Sequence, residues 1–87
     1  MFQIVTVKSV KDKIGLLCKT QRKRKGLSRE ELAEALVISK TTIQNVENGK
    51  NATLDTVLKI AYHFDLLSEV MNALEQFDDT NIPDSLY

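Results

Sequence analysis

The sequence predicts an all-α domain that is built from five helices. Apolar residues recur at spacings of three and four along most of the chain, hydroxyl residues precede several of these segments as N-caps, and glycine follows two of them. With 87 residues, 43% hydrophobic and 28% charged, the chain has the size and composition of one small globular domain. We divide it into an N-terminal arm or strand (1–8), a helical domain (9–77) and a flexible acidic tail (78–87).

The first eight residues carry a weak strand signal. Phe2 and Ile4 alternate with other residues in a segment that is rich in β-branched side chains. A single strand needs a partner, and nothing later in the chain offers one. The segment is therefore either a strand that pairs with its copy in a second subunit or an extended arm that is ordered by contacts of Phe2 and Ile4 with the helices.

The first helix is predicted from Val10 to about Arg24. Ser9 and Asp12 have the spacing of a capping box, and Gly26 ends the segment. Cys18 lies on the apolar stripe of this helix, which predicts that it is a small thiol in the core. The stripe is formed by Val10, Ile14, Leu17 and Cys18.

The stretch from Ser28 to Lys50 predicts two short helices that meet at a tight turn, the first from about Ser28 to Leu36 and the second from about Ser39 to Asn48. Each begins at a serine whose hydroxyl can accept a backbone N–H bond. Ser28 has a glutamate three residues later, which completes a capping box. Gly49 follows the second helix, where glycine adopts the left-handed conformation without a steric penalty.

The fourth and fifth helices are predicted after Lys50. The fourth begins near Leu54, and its cap is ambiguous between the pair Thr53 and Thr56 and the pair Asn51 and Asp55. The fifth runs from Ser68 to about Phe77 with one apolar side. The remaining residues are acidic, polar and interrupted by proline, which indicates a loose tail.

The charges are divided between the two halves of the chain. Residues 1–50 hold eleven Lys and Arg against five Asp and Glu (+6), and residues 51–87 hold one Lys against seven acids (−6). The formal net charge of zero therefore does not exclude a nucleic-acid partner, because the basic half can face phosphate while the acidic half faces away.

The stretch from Ser28 to Lys50 resembles the helix-turn-helix of the Cro and phage-repressor (XRE-like) family. The matching residues are Arg22, Gly26, Leu27, Ser28, Leu32, Ala33, Leu36, Ile38, Ser39, Thr42, Ile43, Val46, Glu47, Asn48, Gly49 and Lys50. The resemblance implies a compact five-helix domain in which the second helix of the motif reads DNA and the last two helices close the core beneath it. It also implies a partly buried salt bridge between Arg22 and Glu47.

The helix from Ser39 to Asn48 then supplies the candidate DNA contacts. Its outward residues suit base edges, since lysine donates to guanine, glutamine pairs with adenine and a threonine methyl contacts thymine. The base-reading candidates are Lys40, Thr41, Gln44 and Asn45. The phosphate-contact candidates are Arg29, Ser39, Lys50, Asn51, Lys23 and Arg24.

Two positions depart from the family pattern. Arg29 stands where glutamine is usual, which adds charge and raises the expected salt sensitivity of DNA binding. Val37 stands where glycine is common in the turn. Either valine is strained at a positive φ, or the turn takes another path.

We therefore expect a sequence-specific DNA-binding transcriptional regulator, a dimeric repressor of an inverted-repeat operator. The alternative is an antitoxin similar to the HipB-like proteins, which bind a kinase-type toxin and regulate their own operon. The competing dimer interfaces are the segment Phe2–Val7 and the stripe Val70, Leu74 and Phe77.

The sequence favours no catalytic role. Neither a nucleophile motif nor a metal-ligand spacing is present, so we expect no enzyme activity, metal or cofactor. The chain lacks a signal peptide and a long apolar run, and its single cysteine suits a reducing compartment. These features predict a cytoplasmic protein with no membrane partner.

Overall fold

A computed structural model of the protein describes residues 4–77 and confirms the all-α prediction with five helices. They are α1 (Val7–Arg24), α2 (Arg29–Leu36), α3 (Lys40–Glu47), α4 (Leu54–His63) and α5 (Leu67–Gln76). Phe2 and the tail from residue 78 lie outside the described residues. No strand occurs between residues 4 and 77, and none of the helices there is long and apolar enough to cross a membrane.

Helix α1 begins three residues earlier than the sequence predicts. Thr6 is its N-cap: the Thr6 hydroxyl accepts a bond from the Ser9 N–H at 2.9 Å, and the Ser9 hydroxyl accepts one from the Thr6 N–H at 2.8 Å. Ser9 is thus the third helical residue of a capping box and not the cap itself. Val7 and Lys8, which the sequence pattern assigns to the arm, belong to this helix.

The other helix boundaries agree closely with the predictions. Ser28 and Ser39 cap α2 and α3, and Ser28 forms the predicted capping box with Glu31. The ambiguous start of α4 is resolved in favour of Thr53, whose hydroxyl accepts from the Thr56 N–H at 3.1 Å. Helix α5 begins at Leu67 without a side-chain cap.

Helices α1 to α4 surround the core. Leu32 of α2 and Ile43 of α3 are its fully buried large side chains. Because α3 packs against both α1 and α2, its orientation is set from two sides. None of the residues of α5 is buried, and the side chains of Leu74 and of the C-cap Phe77 are exposed. The buried cluster consists of Cys18, Leu32, Ala33, Ile43, Val46, Ile60 and Phe64.

Gly15 permits the close approach of α1 and α3. A Cβ atom added at this buried position would lie 2.7 Å from the carbonyl oxygen of Glu47 and in contact with that of Val46. Both obstacles are backbone atoms, which cannot move aside as a flexible side chain can. The sequence shows Gly15 only as an isolated glycine within a helical pattern, so its role at this crossing is a finding of the tertiary structure.

The turn between α2 and α3 is left-handed at Val37. Its φ is 57° and its ψ is 47°, and its side chain is 88% exposed. Of the two alternatives that the sequence leaves open, the structure adopts the strained one. The Ile38 N–H donates to the carbonyl of Ala33 at 3.0 Å. A carbonyl at the C-terminus of α2 thereby gains a hydrogen-bond partner, as it does where glycine occupies the left-handed position.

Candidate nucleic-acid interface

Helix α3 divides into a buried side and an outward side. Ile43 and Val46 are buried in the core. On the outward side Lys40, Thr41 and Gln44 are exposed. Asn45 is half-buried, so it lies at the edge of this surface. The four residues predicted to read bases therefore share one accessible side of α3, and the opposite side of the helix is packed in the core.

Ser39 caps the N-terminus of α3. Its hydroxyl accepts from the Thr42 N–H at 3.1 Å and lies 2.7 Å from the Thr42 hydroxyl. The cap leaves the exposed Ser39 side chain at the N-terminal end of α3, beside Lys40. The end that enters the major groove in proteins with this motif is therefore the polar, accessible end of the helix.

Lys40 is held by an acidic partner that the sequence analysis did not identify. Its ammonium lies 2.6 Å from a carboxylate oxygen of Glu30 on α2, and both side chains are more than half exposed. The hydrogen bond from Lys40 lowers the pKa of Glu30, which stays ionised. The lysine that is predicted to read bases and a negative charge thus lie on the same surface.

The predicted phosphate contacts fall at the two ends of the motif. Lys50 and Asn51 follow α3 and are exposed, and Lys23 and Arg24 are exposed in the last turn of α1. The Asn51 amide oxygen accepts a bond from the ammonium of Lys11, a residue that the sequence analysis did not select. The contact brings a further positive charge of α1 beside the loop after α3. Forty residues separate the two partners, so no local pattern reveals it.

Glu47 lies at the centre of a buried ionic cluster. Its side chain is fully buried, and Arg22 bonds to it twice, from Nε at 2.7 Å and from Nη2 at 3.1 Å. Arg29, predicted as a phosphate contact, places its Nε 3.0 Å from the same carboxylate. The structure therefore brings together the Arg22 and Glu47 pair that the resemblance implies and adds Arg29 to it.

The cluster determines the ionisation of its members. Burial raises the pKa of Glu47, but the hydrogen bonds and positive charges of Arg22 and Arg29 outweigh it, so the net shift is downward. The bond to Glu47 raises the pKa of Arg22. The Cys18 thiol lies 3.7 Å from the Glu47 carboxylate, and burial together with that negative charge raises its pKa to about 12. At neutral pH the thiol is therefore protonated and a weak nucleophile.

The described residues form no arrangement of the kind that holds a metal: between residues 4 and 77 no three His, Cys, Asp or Glu side chains are suitably grouped.

Comparison with known proteins agrees with this geometry. The helix-turn-helix family matches residues 19–69, which is more than half of the chain. The matched segment begins within α1, contains all of α2, α3 and α4 and ends in the first turn of α5. A comparison with curated proteins finds no match. The chain therefore belongs to the helix-turn-helix family of the Cro and XRE type, whose members are DNA-binding transcription regulators and typically not enzymes.

Proposed function

We propose that this protein is a sequence-specific repressor that binds an inverted-repeat operator as a homodimer. The observation that carries the proposal is the division of α3, whose buried side fixes the helix while Lys40, Thr41, Gln44 and Asn45 occupy its accessible side. Lysine, glutamine and asparagine are side chains that pair with purine edges in the major groove.

The charge distribution supports the same orientation. The basic residues lie almost entirely in the half that contains α1 to α3, and the acidic excess lies in the half that contains α4 and α5. Phosphate attraction then comes from the side that carries the motif. Acidic residues on the far half oppose non-specific adhesion of the rest of the protein to DNA.

Exposed apolar side chains on α5 and at its C-cap support the homodimer. Met71, Leu74 and Phe77 are each more than half exposed, although they occupy one apolar stripe. Burial of such a stripe against a second copy is favourable, at about 25 cal/mol per Å² of apolar area. A two-fold dimer places two recognition helices roughly 34 Å apart, one turn of DNA, which explains an inverted-repeat target.

Gel-shift titration of a randomised duplex library, followed by sequencing of the bound fraction, tests the proposal. We expect enrichment of a short inverted repeat, and footprinting should then show two protected half-sites one helical turn apart. The variant Lys40→Ala with Gln44→Ala should lose the preference without losing its helical circular dichroism, because both side chains are exposed. Binding without any sequence preference at every salt concentration would contradict the proposal.

A second candidate function is that of an antitoxin that binds a kinase-type toxin and regulates its own operon. The observation that favours it is an apolar groove beside α1, whose lining contains none of the predicted base-reading residues and which a partner protein can cover. Its lining includes Ile4, Val5, Val10, Ile14 and Leu16. Co-purification with the product of the adjacent reading frame tests this candidate, and it loses its support if that product is not a toxin.

A further inference from the structure

The two arginines that share Glu47 use their guanidinium groups differently. Arg22 is buried, and three of its nitrogens donate inside the protein: Nε and Nη2 to Glu47, and Nη1 to the carbonyl of Leu27 at 2.9 Å. Every nitrogen of the Arg22 guanidinium therefore donates to an acceptor within the protein. Arg22 is a component of the core and is not available to a ligand.

Arg29 uses only one nitrogen in this way. Its Nε donates to Glu47, and its two terminal nitrogens donate no bond to any residue between 4 and 77. Among these residues, no buried side-chain nitrogen or oxygen lacks a hydrogen-bond partner, so the two terminal nitrogens are not buried. The Arg29 side chain is 28% exposed. The terminal edge of this guanidinium therefore faces solvent while its inner edge is fixed.

The cluster also carries an excess of positive charge. Two guanidinium groups bond to one carboxylate, so among the three charged side chains of this cluster one positive charge is in excess. The two acids that follow Arg29 in sequence are both engaged elsewhere, since Glu30 pairs with Lys40 and the Glu31 carboxylate accepts from the Ser28 N–H at 2.8 Å. The uncompensated charge is therefore available to an anion at the outer edge of Arg29.

We infer that Glu47 is a positioning residue for DNA binding, which holds Arg29 through Nε so that its two terminal nitrogens grip one backbone phosphate. A guanidinium presents paired N–H groups that match two phosphate oxygens, and a fork that is already oriented loses less entropy on binding. This inference rests on the proposed function, and it assigns to Glu47 a role in DNA binding beyond the salt bridge that stabilises the fold.

The shape of the side chain, and not only its charge, is essential to this arrangement. A lysine at position 29 has a single ammonium group and cannot remain on Glu47 while it also presents a planar fork to phosphate. Substitution by lysine therefore keeps the positive charge at position 29 but removes the planar fork, so it distinguishes the effect of the geometry from that of the charge. Substitution by glutamine removes the charge altogether.

The test measures the affinity for a random-sequence 30-base-pair duplex by fluorescence anisotropy across a series of KCl concentrations. A random duplex suffices because phosphate contacts do not depend on sequence. Each phosphate contact contributes roughly 0.9 to the slope of log K against log salt. We expect Arg29→Gln to lower the slope by about that amount, and Arg29→Lys to keep most of the slope but to bind several-fold more weakly, because its charge remains while the fork is lost.

The control variant is Lys59→Gln. Lys59 lies on α4 in an ion pair with Asp55, so its loss removes one positive charge from the acidic half without touching the cluster. We expect its slope to equal that of the unaltered protein. Wild-type affinity for Arg29→Lys overturns the positioning role, and a wild-type slope for Arg29→Gln overturns the phosphate contact. Absence of salt-dependent binding by the unaltered protein overturns the proposed function and this inference together.

A second variant tests Glu47 directly. Removal of a negative charge by Glu47→Gln should tighten DNA binding if only electrostatic attraction matters, whereas loss of positioning should weaken it. We expect weaker binding, measured below the thermal transition of the variant, with circular dichroism as the check that it is folded. Tighter binding by the folded variant contradicts the inference.

Discussion

The ammonium of Lys40 lies 2.6 Å from the carboxylate of Glu30, so the first residue of α3 is paired with the second residue of α2. The lysine that we expect to read guanine is therefore engaged in the free protein. When DNA approaches, Glu30 both competes for Lys40 and repels the phosphates.

Glu30→Gln should therefore tighten DNA binding several-fold at low salt. The gain should shrink as salt rises, because both effects act between exposed charges. Anisotropy titrations of the preferred duplex at two salt concentrations measure it. The control Glu75→Gln removes the same charge from α5, which is far from the motif in sequence, and should change little. An unchanged or weaker affinity for Glu30→Gln would show that the ion pair does not compete with DNA.

Val37→Gly should stabilise the protein. A β-branched residue in the left-handed conformation is strained by about 1–2 kcal/mol, and the greater freedom of glycine in the unfolded chain offsets about 0.5–1 kcal/mol of the gain. The difference lies between about 0 and 1.5 kcal/mol, and each 1 kcal/mol raises Tm by roughly 4–8 °C in a domain of this size. Differential scanning calorimetry measures it.

Val37→Ala is the matched control for this prediction. It shortens an 88% exposed side chain but keeps the Cβ atom that causes the strain. We expect a Tm close to that of the unaltered protein. A Tm for Val37→Gly that does not exceed that of Val37→Ala would show that the turn stores no strain.

Gly15→Ala should destabilise the protein by about 1–3 kcal/mol, the usual range for overpacking. In an exposed helix the same change is favourable by about 1 kcal/mol, so the sign distinguishes the two situations. The reason is the 2.7 Å approach of the added Cβ to the carbonyl oxygen of Glu47. Urea unfolding measures the loss, and Leu16→Ala, at a neighbouring exposed position, should have a much smaller effect.

Acid should weaken the fold through Glu47. Because its pKa is lower in the folded protein than the ordinary value near 4.3, its contribution is complete above that value and is lost as pH falls through the folded pKa. The midpoint of urea unfolding should therefore fall steeply below about pH 4. The variant Glu47→Gln should be less stable at neutral pH and should show a shallower decline. An equal decline in both proteins would assign the acid sensitivity to other carboxylates.

Leu74→Ser should shift the protein towards monomers without unfolding it. Leu74 is 62% exposed on α5, so its loss removes little core packing but removes apolar area from the proposed interface. Sedimentation velocity over a range of concentrations measures the change in mass. Tyr62→Ser, at a position on α4 that is 72% exposed, should leave the mass unchanged. A monomeric unaltered protein would exclude the dimer, and a dimer that Leu74→Ser does not weaken would exclude this surface.

Most of the secondary structure was predictable because it depends on residues that are close in sequence. A cap acts over three positions and an apolar stripe repeats every three or four, which is why Ser28, Ser39 and Thr53 could be recognised as candidate caps. The predicted start of α1 at Val10 was wrong because the spacing of Ser9 and Asp12 matches a capping box, although Ser9 is itself the third residue of a box that begins at Thr6. The structure selects Thr6, which adds one further turn to the helix.

The sequence by itself determined the helical elements, the family and the side of α3 that faces outward, since these follow from local patterns and from the motif between Ser28 and Lys50. Only the tertiary structure decided that Glu47 bonds to both Arg22 and Arg29, that Glu30 pairs with Lys40 and that Gly15 lies at the crossing of α1 and α3. These contacts join residues ten to thirty-two positions apart. Their formation depends on the angle and distance at which two helices cross, and no local pattern carries that information.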